Sequence, residues 1–360
     1  MTMNNLIKIH QAFNQSPWLD NLSRDLLQTG KLADYIEKGV RGITSNPTIL
    51  EHAIVNSDLY DQQIKELAES GADSETIYWR IVEDDIKAAA ALLKPVWDES
   101  NGVDGYVSLE VSPRLADDAI SSLAQAKRLW TEVNQPNLMV KVPATDESMP
   151  IIKELLLAGI NVNVTLIFSL DHYKQVADMH KETHIEGQSN TARSVASFFV
   201  SRVDSEIDKR LEANGSQAAL DLRGQAAVAQ AHIAYSILLE KFGDVIANDP
   251  NSAAIQRLLW ASTSTKNPAY DDLMYVTYLL APETVNTLPE DTIAKIIDHL
   301  PESAEAISDD YMAHAKETMQ QLEANGIDFA DVAHTLESEG VAKFQASFDT
   351  LLQAIESKMK

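Results

Sequence analysis

Short β-type runs alternate with stretches of helical periodicity along most of the chain. Repeated βα units of this kind build parallel sheets, because a crossover helix must return the chain to the start of the next strand. Two weaker runs, 16–20 and 283–287, bring the strand number to eight, which closes a parallel barrel. An open doubly wound sheet is the alternative, but no Gly-rich dinucleotide fingerprint follows an early strand. We therefore predict an α/β fold, a (β/α)8 TIM barrel. The six clear runs are 40–48, 105–112, 137–145, 160–168, 195–201 and 257–263.

Three helical regions exceed what a minimal barrel requires. Residues 50–100 and 202–245 each contain more than one helix's worth of periodic sequence, so we expect extra helices outside the barrel. We interpret residues 1–360 as a single barrel domain, in which residues 301–360 form a C-terminal helical extension packed on the barrel. Its apolar residues recur at roughly helical spacing: Val332, Leu336, Val341, Phe344, Phe348, Leu351 and Ile355.

Composition limits the partners and the chemistry. A formal charge of −25 disfavours nucleic acid and anionic membranes, and a phosphorylated ligand would need a local pocket of positive groups. The chain has no cysteine, which excludes disulfides, thiolate metal sites and a cysteine nucleophile. No apolar run approaches the roughly 20 residues that span a bilayer. Without an apolar segment behind an early basic flank, we expect a cytoplasmic protein.

Polar residues occupy one face of several predicted barrel strands. In 107-VSLEVS-112 the period of two places Glu110 with Ser108, opposite the aliphatic residues, and in 161-NVNVT-165 it places Asn163 with Thr165. A barrel interior that served only as a core would carry branched aliphatic side chains there. The pattern predicts a polar reaction centre at the carboxyl ends of the strands.

Lys141 lies in the middle of the apolar strand 137-NLMVKVPAT-145. A lysine inside a strand can be a structural member of an ion pair. Alternatively, an amine in a desolvated site has a lowered pKa and can attack a ketone to form a Schiff base, whose iminium acts as an electron sink for carbon–carbon cleavage. Glu110 and Thr165, on the flanking strands, could activate the water that such chemistry consumes and releases.

Six strand-end motifs, in this order, resemble those of the transaldolase family in its longer bacterial form. The resemblance covers most of residues 16–290 and implies a (β/α)8 barrel that transfers a three-carbon dihydroxyacetone unit between sugar phosphates through a lysine Schiff base, without metal or cofactor. The motifs are 39-GVRGITSNPTIL-50, 107-VSLEVSPRLADD-118, 137-NLMVKVPAT-145, 160-INVNVTLIFS-169, 196-ASFFVSRVD-204 and 260-WASTSTKNP-268.

The resemblance implies a role for each matching residue. Lys141 corresponds to the Schiff-base lysine and Asp20, in SPWLD, to the acid/base aspartate, while Glu110 and Thr165 correspond to the pair that positions the catalytic water. Shorter members carry an arginine where this chain has Ser264, and we expect Lys266 to act as the second phosphate cation instead. The implied substrate-binding residues are Asn46, Asn163 and Ser197 for the donor, and Arg202, Ser262 and Lys266 for the phosphate.

Several of these residues also have a purely structural interpretation. Asp20 could cap a helix beginning near residue 21, Asn46 could be a turn residue before a proline, and Glu110 could simply pair with a barrel lysine. Arg202 could pair with an acidic neighbour on its helix, and Lys266 could be solvated. The nine histidines receive no role, although three lie at loose helical spacing: His172, His180 and His184.

The predicted function is transfer of dihydroxyacetone from sedoheptulose 7-phosphate to glyceraldehyde 3-phosphate, giving erythrose 4-phosphate and fructose 6-phosphate in the pentose phosphate pathway. One alternative is a fructose 6-phosphate aldolase-like lyase that releases free dihydroxyacetone; such enzymes are much shorter and tend to carry glutamine at the position of Glu110. Another is a noncatalytic barrel, which would be expected to have lost some catalytic residues. The expected partners are sugar phosphates, and the protein is expected to be a monomer or homodimer.

Overall fold

A computed structural model describes residues 4–186 and 191–360 and contains a closed parallel barrel. Each strand pairs with its sequence neighbours and the eighth strand closes on the first, so the predicted TIM barrel is confirmed and the open sheet is wrong. The two runs predicted with the weakest pattern form the closing pair. The strands are β1 Gln15–Leu19, β2 Gly42–Thr44, β3 Tyr106–Glu110, β4 Leu138–Pro143, β5 Val162–Ile167, β6 Ser194–Phe199, β7 Arg257–Ala261 and β8 Thr284–Leu288.

Helices surround the barrel and fill both long connections that the sequence predicts. Residues 50–100 contain most of the helix Pro47–Val55 and the helices Asp61–Glu69 and Ser74–Glu99, and residues 202–245 contain most of the helices Ser201–Asn214, Gln217–Leu220 and Ala226–Asn248. Short 3-10 helices occupy Asp58–Tyr60 and Pro113–Leu115. The helices are α1 Asn5–Phe13, α2 Arg24–Gln28, α3 Lys31–Glu37, α4 Pro47–Val55, α5 Asp61–Glu69, α6 Ser74–Glu99, α7 Ala119–Val133, α8 Met149–Leu157, α9 Leu170–Glu186, α10 Ser201–Asn214, α11 Gln217–Leu220, α12 Ala226–Asn248, α13 Met274–Thr277, α14 Glu290–His299, α15 Asp309–Ala324 and α16 Phe329–Lys358.

The last helix lies across the carboxyl end of the barrel. α16 begins at the N-cap Asp328, whose carboxylate accepts from the amides of Ala330 and Asp331, and runs for 30 residues. It packs on α4, α6 and α10. Phe344, near its middle, is 2% exposed and faces the interior of the barrel mouth. The C-terminal extension therefore forms part of the wall above the strand ends.

A buried ion network fills the opposite, amino end of the barrel. Asp104, just before β3, accepts hydrogen bonds from Ser16 Oγ at 2.8 Å, Arg41 Nε at 2.7 Å and Arg257 Nη1 at 3.0 Å. Burial by itself would raise the pKa of Asp104, but the charges of Arg257 and Arg41 outweigh it and hold the value at about 2.

Gly42 is required by the close approach of β1 and β2. A Cβ at this position would lie 2.5 Å from Cε2 of Trp18, which is fully buried. We expect Gly42→Ala to lower the free energy of unfolding by about 1–3 kcal/mol, the usual effect of overpacking a core. The shift of the urea midpoint measures this effect. Gly159→Ala provides a comparison, because its Cβ meets nothing within 4 Å and only its positive φ of 79° causes strain. Equal midpoints for wild type and Gly42→Ala would contradict the steric argument.

Candidate active site

Lys141 and Glu110 form a buried ion pair on neighbouring strands. The register places them side by side on β3 and β4, and Lys141 Nζ lies 3.0 Å from Glu110 Oε2. They are 5% and 7% exposed, respectively. Nζ also donates to the carbonyl of Ser45 at 3.2 Å and lies 5.9 Å from the centroid of the Phe344 ring. Burial raises the pKa of Glu110, against the lowering effect of Lys141. Glu110 is thus in place to exchange a proton with the amine.

A chain of hydrogen bonds links the polar residues of β3, β5 and β6 inside the barrel. Ser197 Oγ donates to Asn163 Oδ1 at 2.7 Å, and Asn163 Nδ2 donates to Ser108 Oγ at 3.0 Å. The register also places Asn163 beside Lys141. Because Ser108, Asn163 and Ser197 are all buried, their hydroxyl and amide groups are held at fixed positions near the amine of Lys141. These positions suit recognition of the hydroxyl groups of a sugar.

Asp20 follows β1 and points into the mouth of the barrel. Its amide donates to the carbonyl of Leu288, which extends the barrel ladder by one residue, and its Oδ1 accepts from Thr44 Oγ1 at 2.7 Å. The N-cap of the next helix, α2, is Ser23, so the capping interpretation of Asp20 is wrong. Burial raises the pKa of Asp20, while the hydrogen bond from Thr44 and the charge of Lys141 lower it. A carboxyl with a raised pKa suits general acid/base work.

Thr165 lies within an irregularity of β5. The register between β5 and β6 shifts between Val164 and Ile167, and Leu166 has a φ of 58°. A left-handed leucine is rare, and such conformations concentrate at functional sites. Thr165 Oγ1 is buried and has no hydrogen-bond partner in the described part of the chain. Its hydroxyl is therefore available to a water or substrate.

The residues predicted to bind phosphate also lie at the mouth of the barrel. Ser262, which has a φ of 58°, contacts Ser201 Oγ through its own Oγ at 3.0 Å. Lys266 is exposed and donates to Ser264 Oγ at 2.6 Å. Arg202 lies over the ring of Phe199, with Cζ 5.2 Å from its centroid. The two acidic residues that could have paired with Arg202 are engaged elsewhere: Asp204 with Tyr275, and Glu206 with Arg210.

Most of the predicted site residues line one cavity of about 130 Å³ at the carboxyl ends of the strands. Glu110 and Asn163 do not line it themselves, but each contacts a residue that does. Asn46 has two roles. Its Oδ1 caps α4 by accepting from the amide of Ile49 at 3.0 Å, and the residue also lines the cavity. The residues at the cavity are Asp20, Asn46, Lys141, Thr165, Ser197, Arg202, Ser262 and Lys266.

Phe199, Phe344 and Lys343 are among the lining residues that were not predicted from the sequence. Phe199 lines the cavity. It lies two residues after Ser197 on β6, so the period of two places both side chains on the same face of the strand and could have indicated this position. Phe344 lines it from α16, and Lys343 lines an adjoining cavity of about 470 Å³ that shares Asn46, Arg202 and Phe344 with the first. No local pattern in the sequence indicates that this turn of α16 meets the barrel mouth.

Among the residues that the structure describes, no histidine lines the smaller cavity, and His52 lines only the larger one. His180 is fully buried against His184, with ring centroids 4.2 Å apart, and burial lowers its pKa to about 3. His172 lies 3.6 Å from a carboxylate oxygen of Glu337. Within the described ranges, no group of three or more His, Asp or Glu side chains is arranged to hold a metal ion, and no helix has the length and apolarity to cross a bilayer.

Comparison with known proteins identifies the family. The family model described as transaldolase/fructose-6-phosphate aldolase matches residues 17–355. A transaldolase of Mycobacterium tuberculosis (strain H37Rv) is 47% identical over 351 residues, covering 95% of this chain and 94% of that protein. A transaldolase of Mycolicibacterium smegmatis is 45% identical over 367 residues, covering 100% and 99%. The chain belongs to the transaldolase/fructose-6-phosphate aldolase family.

Proposed function

We propose that this protein is a transaldolase that moves dihydroxyacetone from sedoheptulose 7-phosphate to glyceraldehyde 3-phosphate in the cytoplasmic pentose phosphate pathway. The observation that carries the proposal is the buried Lys141–Glu110 pair, 3.0 Å apart, whose lysine lines the same cavity as Asp20. An amine, a proton acceptor beside it and a second carboxyl nearby are the groups that Schiff-base cleavage of a hydroxyketone requires. The relatives named transaldolase cover nearly the whole chain, which favours the same activity here.

The first half of the reaction is formation of the Schiff base. Glu110 accepts a proton from the Lys141 ammonium, and the free amine attacks the C2 carbonyl of the donor sugar to give a carbinolamine. Glu110, with Thr165 holding the water, then returns a proton to the departing hydroxyl, so one water leaves and a protonated iminium remains. Phe344 covers the amine and limits access of bulk water to it.

Cleavage and transfer follow from the iminium. The Asp20 carboxylate takes the proton of the C4 hydroxyl, the C3–C4 bond breaks, and its electron pair moves into the iminium to give an enamine while the aldehyde leaves. Asn163 and Ser197 hold the hydroxyls of the remaining three-carbon unit. The enamine then attacks the carbonyl carbon of an acceptor aldehyde, Asp20 returns its proton to the new hydroxyl, and hydrolysis of the iminium regenerates Lys141.

Acceptor dependence tests this function against the free aldolase. With fructose 6-phosphate alone, we expect release of about one equivalent of glyceraldehyde 3-phosphate per enzyme, because the enamine has no acceptor. Addition of erythrose 4-phosphate should start continuous turnover with formation of sedoheptulose 7-phosphate. Continuous release of free dihydroxyacetone without an acceptor would instead establish the aldolase activity. The presence of Glu110, where the aldolases tend to carry glutamine, favours transfer.

The pH dependence of kcat/KM should report the ionisation of the Asp20 carboxyl group. Asp20 acts as a base in its carboxylate form, so activity falls as the pH drops through its raised pKa. We expect the acidic limb to lie above the ordinary aspartate value of about 3.9. Thr44→Val removes a hydrogen bond that lowers this pKa and should move the limb to higher pH, whereas Thr131→Val, on the surface of α7, should leave it unchanged. A limb that moves to lower pH in Thr44→Val would contradict the assignment.

A further inference from the structure

Three cationic side chains converge on the mouth of the barrel, and the carboxylates that line the same cavities have other partners: Asp20 accepts from Thr44, Asp25 pairs with Lys31, and Glu290 accepts from Asn21 and Tyr35. Arg202 lines both cavities there, Lys266 lines the smaller one and Lys343 the larger one. Within residues 4–186 and 191–360, none of the three forms an ion pair, and Lys266 donates a hydrogen bond to the hydroxyl of Ser264. The chain has 54 acidic and 29 basic residues, so carboxylates are abundant. Unpaired cations gathered at one place in such a chain indicate an anion site.

The position of Lys343 follows from how α16 approaches Arg202. Gly340, Lys343 and Phe344 share one face of the helix, because residues three and four apart lie one above the other. A Cβ on Gly340 would lie 3.7 Å from Arg202 Nη1 and 3.2 Å from Leu166 Cδ2, so the absence of a side chain lets the helix backbone come close to the guanidinium. Phe344 on the next turn reaches the amine of Lys141. The backbone of Lys343 therefore lies about one turn of α16 beyond Gly340, the residue beside Arg202, and its side chain borders the larger cavity.

The charges around Lys343 are mainly repulsive. Burial lowers the pKa of Lys343, and Arg202 and Lys266 lower it further. Burial also lowers the pKa of Arg202, against the effects of Asp20 and Glu110. Two carboxylates at the rim act on this cluster in the opposite sense, Glu51 of α4 on Lys343 and Glu339 of α16 on Arg202, and neither forms an ion pair with it within the described chain. A bound dianion would convert this repulsion into attraction.

We propose that Lys343 is a phosphate-binding residue, so that the C-terminal helix completes the substrate site. Arg202 and Lys343 hold the phosphate of the sugar between the barrel and α16, while Lys266 and Ser262 bind it from the barrel rim. This inference deepens the proposed function and rests on it. It also gives α16 a role beyond packing: the helix supplies a cation in a family member in which Ser264 replaces an arginine. Phosphorylated substrates should depend on Lys343, and unphosphorylated ones should not.

Three variants test the role of Lys343 in catalysis. Lys343→Met keeps most of the side chain and removes its charge, Lys343→Arg keeps the charge, and Lys316→Met removes an exposed lysine of α15 that lines neither cavity. We expect Lys343→Met to raise KM for fructose 6-phosphate about tenfold, the usual effect of losing one charge-assisted hydrogen bond, with kcat within about twofold. Lys343→Arg and Lys316→Met should stay close to wild type.

Two further measurements separate this inference from the proposed function. Borohydride trapping with unphosphorylated dihydroxyacetone should label Lys141 equally in wild type and Lys343→Met; failure to label wild type would refute the Schiff base. Line broadening of inorganic phosphate in 31P NMR should be strong with wild type and weak with Lys343→Met, and this readout does not depend on catalysis. Unchanged KM and unchanged broadening in Lys343→Met would overturn the role of Lys343. A raised KM in both Lys343→Met and Lys343→Arg, with a lowered melting temperature, would overturn it in favour of a structural role.

Discussion

Lys141→Met is expected to lower kcat by about 10⁴-fold or more, because the variant has no nucleophile and neighbouring groups cannot replace a covalent step. Lys141→Arg gives the sharper comparison. A guanidinium stays protonated and is not a nucleophile, but it can keep the buried ion pair with Glu110. If Lys141 forms the Schiff base, both variants should be inactive.

The structural interpretation of Lys141 predicts a different outcome. If the lysine served only to balance Glu110, Lys141→Arg would keep near wild-type activity, and Lys141→Met would lose activity together with stability. Melting temperatures of both variants distinguish these cases from unfolding. Substantial activity in Lys141→Arg would contradict the covalent mechanism, because no other change in the site would account for it.

Asp104→Ala is expected to destabilise the fold by about 3–5 kcal/mol, since it leaves Arg257 buried without its counter-ion at the amino end of the barrel. Asp104 also accepts from Ser16, Trp18 and Arg41, so four donors lose a partner at once. The urea midpoint measures the loss. Asp98→Ala removes one member of an exposed pair with Lys94 on α6 and should change stability by less than about 1 kcal/mol.

The pH dependence of stability provides a second readout for this network. Because the pKa of Asp104 is about 2 in the folded protein, below its ordinary value of 3.8, its contribution is complete above the ordinary value and is lost as the pH falls toward 2. Asp104→Ala should remove this part of the acid dependence. A variant as stable as wild type at pH 7 would show that the network does not hold the amino end together.

Strand positions and inward-facing residues could be predicted from the sequence, because both follow from local periods. The period of two placed Glu110 with Ser108 and Asn163 with Thr165, and the structure has Asn163 bonded to Ser108 across the barrel interior. Lys141 could be singled out because a charge in an apolar strand is costly unless it is paired or used. These predictions needed only neighbours within one strand.

Contacts between distant segments could not be predicted in this way. The spacing of apolar residues in α16 indicates that Phe344 is buried, but not that it is buried over Lys141, about two hundred residues earlier. The same holds for Asp104 and Arg257, which are 153 residues apart. The left-handed Leu166 lies at a register shift in β5 that no residue type in the sequence indicates. Such features depend on how the closed barrel brings its strand ends together.

The most direct test of the Schiff-base mechanism is borohydride reduction of the protein mixed with fructose 6-phosphate, followed by peptide mass spectrometry. Protonation of the enamine gives an iminium, and borohydride reduces this iminium to a stable three-carbon adduct on the amine that attacked the sugar. We predict one dihydroxyacetone-derived adduct per chain, confined to Lys141. An adduct on a different lysine, or none, would contradict the central claim and leave Lys141 as a structural charge inside the barrel.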